Sequence, residues 1–332
     1  MRLLVTGGCG FIGSNFIRHV LREHEEDEVL NLDKLTYAGN PENLRDVEGD
    51  PRYRFLRGDI CEERDVEEAF AWGPEAVINF AAETHVDRSI TSPEDFVRTD
   101  VLGTFRLLRA AQERGIRYVQ ISTDEVYGSV PEGSFREDSP LQPNSPYAAS
   151  KAGADLLVRS YVETYGLDAV IVRSSNNYGP YQYPEKVIPL FVTNLLEGRK
   201  VPLYGEGKNV RDWLFVEDNC RAIDLVLRRG ERGGIYNVGG GNEKSNLALT
   251  RAILEIMGMG EDRIQRVADR PGHDFRYSLD CSRIHALGWR PLVAFEEGLR
   301  ETVRWYRENE AWWRPLKSGE FRSYYRERYG DI

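Results

Sequence analysis

The 332-residue sequence predicts an α/β protein, a doubly wound parallel sheet carrying a smaller, discontinuous α+β domain. Three observations lead there. Short β-branched runs alternate with helical patterns as far as residue 177. A trio of glycines separates the first strand pattern from the first helix pattern. Beyond residue 177 the texture changes to Gly, Pro and Tyr, as in "NNYGPYQYPEKVIP". Strands that alternate with helices close into a parallel sheet through right-handed crossovers, which leaves helices on both faces.

In chain order, "RLLVTG" reads as a strand and "FIGSNFIRHVLREH" as a helix whose apolar positions recur at helical spacing. "DEVLNLD", "YRFLRGDI", "AVINFAAE" and "RYVQIST" read as further buried strands, the last two separated by the long helical stretch "EDFVRTDVLGTFRLLRAAQERG". "YAASKAGADLLVRSYVETYG" is a helix and "LDAVIVRSSN" a strand. "VRDWLFVEDNCRAIDLVLRRG" and "GGIYNVGG" are expected to return to the main sheet. The division this implies is 1–177 with 211–238 for the first domain, and 178–210 with 239–332 for the second. The aromatic tail "VRWYRENEAWWRPLKSGEFRSYYRERYG" reads as a helix packed on the second domain with a solvated charged face.

A formal charge of -10 argues against nucleic acid as the main partner, while leaving room for a small polyanion held by a local cluster of donors. Cys9, Cys61, Cys220 and Cys281 stand far apart with no CxxC pair, which favours a reducing compartment over a disulfide framework. The five histidines show no HxH or HExxH spacing, so no metal is expected. "MRLLVTGG" enters a strand at once and no apolar segment reaches membrane-span length, so a cytoplasmic protein without a membrane partner is expected.

"VTGGCGFIGSN" places Gly7, Gly10 and Gly13 directly after the first strand and at the mouth of the first helix. Glycines there let the backbone turn tightly and approach a pyrophosphate at a helix N-terminus, the arrangement of a Rossmann-type dinucleotide site. Asp33 ends the second strand, where an acid accepts from an adenosine ribose and disfavours the 2′-phosphate of NADP; NAD is the expected cofactor. Asp59 closes the third strand and could reach the adenine edge. The plainer alternative is a structural glycine turn with a capping Asp. The GxxGxxG spacing resembles the extended short-chain dehydrogenase/reductase family, and that resemblance demands a Tyr-x-x-x-Lys after the fifth strand. "SPYAASKAG" supplies Tyr147 and Lys151, four apart and so on one face of a helix. An ammonium beside a phenol stabilises the phenolate, and the positive nicotinamide ring adds to the effect, fitting Tyr147 for general-base work near neutral pH.

The segment "STDEVYG" then presents two adjacent acids, Asp124 and Glu125, where a buried strand ends. Alone it reads as a solvated polar loop. By resemblance to the extended family this segment faces nicotinamide and substrate, where most relatives need only a Ser or Thr. Two extra carboxyls are what an elimination of water requires: one removes a carbon-bound proton, the other protonates the departing hydroxyl. Crowded in a desolvated pocket, they push at least one pKa upward.

With "TGGCGFIGSN", "NLDKLTYAGN", "NFAAETHVDRSI", "STDEVYG", "SPYAASKA", "RSSNNYGPYQ", "EKVIP", "RDWLFVEDN" and "DRPGHDFRY", the chain resembles the dTDP-glucose 4,6-dehydratase family over nearly its full length. Cys9 stands where the family usually has a small residue such as Ala, and no functional consequence is expected. The resemblance implies that Tyr147 takes the sugar 4-hydroxyl proton as hydride leaves C4. Glu125 then removes the C5 proton, Asp124 protonates the C6 hydroxyl, and hydride returns to C6, while Thr123 hydrogen-bonds the C4 oxygen. It also implies cofactor contacts from Phe11, Ile12, Lys34, Thr36, Ile60, Ala81, Ala82 and Thr99. A sugar nucleotide brings a second pyrophosphate, for which Asn176, Lys186, Arg211 and His273 are candidate donors. The resemblance implies that Arg211, Asn246 and the segment around His273 lie along the diphosphate, Tyr204 near the base or its ribose, and Thr84 and His85 near nicotinamide and sugar. For Asn176, Arg211 and His273 the plainer readings are a turn residue, a partner in the neighbourhood of Asp212, and a loop histidine.

Three other functions share these features. A 4,6-dehydratase of another nucleotide sugar such as UDP-glucose would differ only in small loop contacts. A same-fold epimerase or decarboxylase has no need of Asp124. A non-catalytic NAD-binding scaffold or sensor would lack Tyr147, Lys151 or the acids. Family analogy adds a homodimer, formed through helices beginning near Gly103 and Ser150.

Overall fold

The computed structural model describes residues 1–269, 273–317 and 319–329. The first half supplies β1 (Arg2–Thr6), β2 (Glu28–Asp33), β3 (Tyr53–Arg57), β4 (Ala76–Asn79), β5 (Arg117–Thr123) and β6 (Ala169–Ser174). The second supplies β7 (Asn176–Tyr178), β8 (Val201–Tyr204), β9 (Val210–Phe215), β10 (Ile235–Val238), β11 (Glu243–Ser245) and β12 (Ile264–Val267). Seven strands form one sheet in the order β10-β6-β5-β4-β1-β2-β3, with every pair parallel. The winding reverses between β1 and β4, and a crevice opens beyond the carboxyl ends of strands at such a switch point.

Helices α1 (Phe11–Glu23), α2 (Glu63–Ala71), α5 (Thr104–Arg114), α6 (Pro146–Tyr165) and α8 (Val216–Arg229) cover both faces; α3 (Val86–Thr91) and α4 (Pro93–Phe96) precede α5, while α7 (Val187–Leu196) and α9 (Asn246–Met257) belong to a second core. Alternation along β1 sorts the core into two layers. Leu3 and Val5 pack with Phe16, Ile17 and Val20 of α1 and Ile223 and Val226 of α8. Leu4 packs on the other face with Val66 and Phe70 of α2, Leu107 and Leu108 of α5, and Val158 of α6. The strand pattern read as buried at 53–57 is the sheet edge instead, with Phe55 44% exposed, because no eighth strand among the described residues covers it.

The expected helix after residue 93 is broken by a π-helical turn, Val97–Gly103, between α4 and α5, ending at Gly115 in the left-handed conformation (φ 65°). The return of 211–238 to the main sheet is divided. α8 and β10 join it, but β9 pairs with β7 and β11 in a separate three-stranded sheet. Its residues Trp213 and Phe215 belong to the second core with α7, α9 and the tail. The tail is not one helix: after α10 (Ser282–Ala286), it folds as α11 (Phe295–Glu308), α12 (Glu310–Leu316) and α13 (Glu320–Tyr329). Tyr306 and Trp313 are fully buried there, so its aromatics are core. Among the described residues no helix is long and apolar enough to cross a membrane.

Candidate active site

The crevice at the switch point is a cleft of about 1220 Å³, open to solvent. All fifteen residues expected around the cofactor line it, from Gly7, Gly10, Phe11, Ile12 and Gly13 at one end to Tyr147 and Lys151 at the other. Gly7 has φ +70°, and a Cβ on it would lie 2.6 Å from the Ala81 amide nitrogen, so only glycine lets the loop close on the end of β4. Gly10 begins α1 without any side-chain cap, and a Cβ there would meet only the Gly7 carbonyl oxygen, at 3.2 Å. The first-turn amides therefore line the cleft unscreened, which fits a pyrophosphate.

Asp33 receives the Cys9 and Leu35 amides at 2.8 Å each, so it also fixes the glycine loop. Burial nonetheless pushes its carboxyl up. Asp59 does not stand free for an adenine edge. Its carboxylate pairs with Lys34 at 2.8 Å and accepts the Cys61 amide, and despite burial Lys34 holds it below the usual range. The Cys9 thiol is 1% exposed and pushed up to about 12 by burial and the nearby Asp33 charge. What Cys9 gives the loop is its backbone amide, which any residue supplies.

β5 ends at Thr123 and the chain turns at once into a 3-10 helix, Asp124–Tyr127. Thr123 caps that turn: its hydroxyl accepts from the Glu125 amide and donates to Asp124 Oδ1, both at 3.3 Å. Asp124 is 2% exposed, and its Oδ2 has no hydrogen-bond partner among the described residues. Burial, and then the charge of Glu125, push its carboxyl well above the ordinary value, while Arg211 opposes. A carboxyl shifted this way keeps its proton to higher pH than an ordinary aspartate, as a proton donor must.

Tyr147 and Lys151 project from the first turns of α6, where Ser145 caps the Ala148 amide at 3.1 Å and Pro146 takes the first position. Lys151 Nζ donates to the Ile121 carbonyl at 2.7 Å. The expected phenolate stabilisation draws on Lys151 and the nicotinamide charge together, and burial and the nearby acids act against it. Burial, followed by the Glu125 and Asp100 charges, pushes the Tyr147 phenol well up, against the Thr123 hydroxyl.

A second cleft adjoins the first. His85, Asn176, Lys186, Tyr204, Arg211, Asn246 and His273 line it together with Glu125. Thr84 lines the first cleft, and Lys186, which lines both, donates to its hydroxyl at 3.1 Å, so the two clefts share a wall. Arg211 is 6% exposed. It donates to the Val210 and Asp274 carbonyls at 2.7 and 3.0 Å and lies 4.2 Å over the Tyr277 ring, with no carboxylate partner among the described residues. The Asp212 neighbourhood does not hold it. Strand alternation turns Asp212 away, onto the Gly240 and Asn242 amides at 2.8 and 2.6 Å. Asn176 Oδ1 is buried without a partner among the described residues, so no turn role consumes it. Tyr204 stacks edge-on to His273, whose Nδ1 meets Asp269 at 2.6 Å. Residues 270–272 of the "DRPGHDFRY" segment lie outside the described residues. His85 holds φ 79°, a strained conformation for a non-glycine residue of the kind that clusters at ligand sites.

Sequence reasoning missed Asp100. It lies 1% exposed in the π-helical turn, and its Oδ2 accepts from the Ser150 hydroxyl at 2.6 Å, one residue before Lys151. Burial raises its carboxyl to about 6, against Lys151 and Ser150. Because folding raises this acid, the folded chain holds a proton that the unfolded chain releases above about pH 4. About 3 kcal/mol of stability is therefore lost between pH ~4 and pH ~6, with no further loss above. Asp100→Asn is expected to abolish that segment, so that the urea-midpoint difference from wild type grows over this window and then levels. A difference flat from pH 4 to 8 would exclude it.

The geometry finds its counterpart in known proteins. Residues 4–302 match the family model for GDP-mannose 4,6 dehydratase. The chain is 56% identical to a dTDP-glucose 4,6-dehydratase of Streptomyces niveus, over 96% of each chain. It is 54% identical to one of Streptomyces antibioticus, again over 96% of each. The solved dTDP-glucose 4,6-dehydratase of Streptomyces venezuelae, with NAD bound, superposes with a TM-score of 0.93 at 56% identity, covering 96% of this chain and 100% of that one. With its sheet order, paired acids and Tyr-x-x-x-Lys helix in place, the chain belongs to the nucleotide-sugar 4,6-dehydratase family, among the dTDP-glucose 4,6-dehydratases.

Proposed function

We propose that this chain converts dTDP-glucose to dTDP-4-keto-6-deoxyglucose by eliminating water across C5 and C6. The observation that carries this reading is Asp124: a buried, upward-shifted carboxyl with an unpartnered oxygen, next to a second acid and the Tyr147 phenol. An epimerase has no step for such a proton donor. Gly7, Gly10, Gly13 and Asp33, with Tyr147 and Lys151 at the far end of the cleft, would hold NAD, which when bound would supply the hydride acceptor for sugar C4 and the hydride donor for C6. Tyr147 accepts the 4-hydroxyl proton, and Lys151 holds α6 to the end of β5 through the Ile121 carbonyl. Thr123 positions the C4 oxygen. The resulting ketone acidifies C5, whose proton Glu125 removes, and Asp124 delivers a proton to the C6 hydroxyl so that it leaves as water; as hydride is restored at C6, C5 takes a proton back, exchangeable with solvent while it rests on Glu125.

Arg211, without a carboxylate partner among the described residues, is assigned to the diphosphate together with Asn176, Lys186, Asn246 and His273, with Tyr204 at the base or its ribose and Thr84 and His85 at the nicotinamide and sugar. Arg211→Lys keeps the charge but loses the planar fork. A rise in KM of about 10-fold or more is expected, with kcat changed far less, since a charge-assisted hydrogen bond contributes about 1.5–3 kcal/mol. Equal falls in kcat and kcat/KM would place Arg211 elsewhere.

The active species is assigned as a homodimer. Val97, Leu102, Phe105, Leu156 and Tyr165 expose 36–59% of their surfaces along the helices expected to pair. A monomer in sedimentation analysis would overturn this. A reducing, cytoplasmic setting suits the four free cysteines. The function itself is tested by mass spectrometry of the product from dTDP-glucose in heavy water, beside UDP-glucose and GDP-mannose. Loss of water with one deuterium at C5, for dTDP-glucose alone, is the expected result. Equal conversion of UDP-glucose would overturn the base assignment, and no dehydration would overturn the reaction.

A further inference from the structure

At the far end of α1 from the glycine turn, three side chains converge outside either cleft. His19 lies in α1, His24 directly follows it, and Asp224 lies in α8, which packs alongside. One ring nitrogen of each histidine and one oxygen of Asp224 all fall within 4.8 Å of one another. Asp224 Oδ2 stands 2.9 Å from Nε2 of His24 and 3.6 Å from Nε2 of His19.

His19 is the member of this trio without a hydrogen bond among the described residues. It is 5% exposed, and this holds for both of its ring nitrogens. Buried polar atoms are almost always partnered, and an orphan of this kind is explained by a water, an ion or strain. The single bond between His24 and Asp224 cannot serve His19 as well. A cation between the three groups would.

The surroundings are arranged for such an ion. Arg228 Nε donates to Asp224 Oδ1 at 2.7 Å, leaving Oδ2 turned toward the imidazoles, the way an outer partner orients a ligating carboxylate. The charge of Arg228 is itself balanced by Asp27, at 2.6 Å.

We propose that His19, His24 and Asp224 form a binding site for one divalent transition-metal ion of the zinc class, with the remaining coordination position open to water. Two imidazoles and a carboxylate suit zinc and its neighbours, whereas calcium and magnesium prefer all-oxygen shells. Metal–ligand bonds of about 2.0–2.1 Å in tetrahedral geometry set donor atoms roughly 3.3 Å apart, between the 2.9 and 3.6 Å found here. No sequence motif signals the site, because the two histidines are five apart across a helix end and the acid lies 200 residues further on. Thirteen residues of helix rise put it roughly 20 Å from the glycine turn. The ion ties α1 to α8 and stabilises the fold without entering the reaction.

The test uses the full-length, tag-free protein, stripped with a chelator and titrated with zinc chloride by calorimetry, with thermal unfolding and cobalt(II) absorption as second readouts. The expected result is one saturable equivalent per chain, a rise in the unfolding midpoint, and the visible bands of four-coordinate cobalt. His24→Ala and His19→Ala should each weaken zinc affinity at least tenfold and remove the zinc-dependent rise, with turnover unchanged. His19 is buried and its variant could misfold, so the partly exposed His24 decides. No saturable binding, or zinc affinity in His24→Ala equal to wild type, overturns the proposal.

Discussion

Asp124→Asn is expected to trap the enzyme after oxidation: on addition of dTDP-glucose the absorbance of the reduced cofactor rises and stays, while the dehydration rate falls by about 10²–10⁴-fold. The amide fills the same space, and its oxygen still accepts from Thr123, as the carboxylate oxygen does at 3.3 Å. Only the transferable proton is lost. Stopped-flow absorbance and product analysis check the two halves separately. A variant that neither accumulates reduced cofactor nor dehydrates would move Asp124 to the first step instead. Stability should change in the opposite direction to activity. Folding pushes this carboxyl up, so above about pH 4 the unfolded chain releases a proton that the folded chain keeps, and stability falls with rising pH until the folded group ionises. Asparagine carries no such penalty. The variant is therefore expected to melt higher than wild type at pH 7, and a lower melting point would show that the carboxyl is ionised in the fold.

How much of this was readable in advance depends on how local each signal was. Gly7, Gly10 and Gly13 were legible because turn, helix start and backbone approach are properties of seven consecutive residues. Tyr147 and Lys151 were legible because a spacing of four fixes one helix face. The meaning of Asp124 and Glu125 came through resemblance, since composition alone allowed a solvated loop; the fold buries Asp124 by capping the end of β5 with a 3-10 turn. Long-range pairings were not legible. β9 reads as a strand from its pattern, but its neighbours β7 and β11 are chosen by the second core, through Trp213 and Phe215. Asp100 looks like a surface residue of a helix until the π-helical turn rotates it onto Ser150. The sign of the Tyr147 shift also needed coordinates. Sequence shows the lysine four residues on, but not that Lys151 is committed to the Ile121 carbonyl while Glu125 and Asp100 act on the phenol.

That sign governs the second large effect. Tyr147→Phe is expected to abolish the first step, so that neither reduced cofactor nor deuterium at C5 appears and turnover drops by about 10²–10⁴-fold. Because Asp124 acts only after a ketone exists, adding Asp124→Asn to Tyr147→Phe should cost nothing more, a non-additivity expected of consecutive steps. A double variant slower than Tyr147→Phe would mean that Asp124 contributes before elimination. Glu125 reaches into both steps. Its carboxylate is the base assigned to C5, and it is also the largest charge raising the Tyr147 phenol, second only to burial. Single-turnover reduction of the cofactor should speed up with rising pH, since the phenol must lose its proton to act. In Glu125→Gln the raising charge is gone, so this rise should move to lower pH even as elimination stops. If the midpoint stays or moves up, the charge on Glu125 does not control the phenol, and the protonation of Tyr147 is set by the cofactor and Lys151 alone.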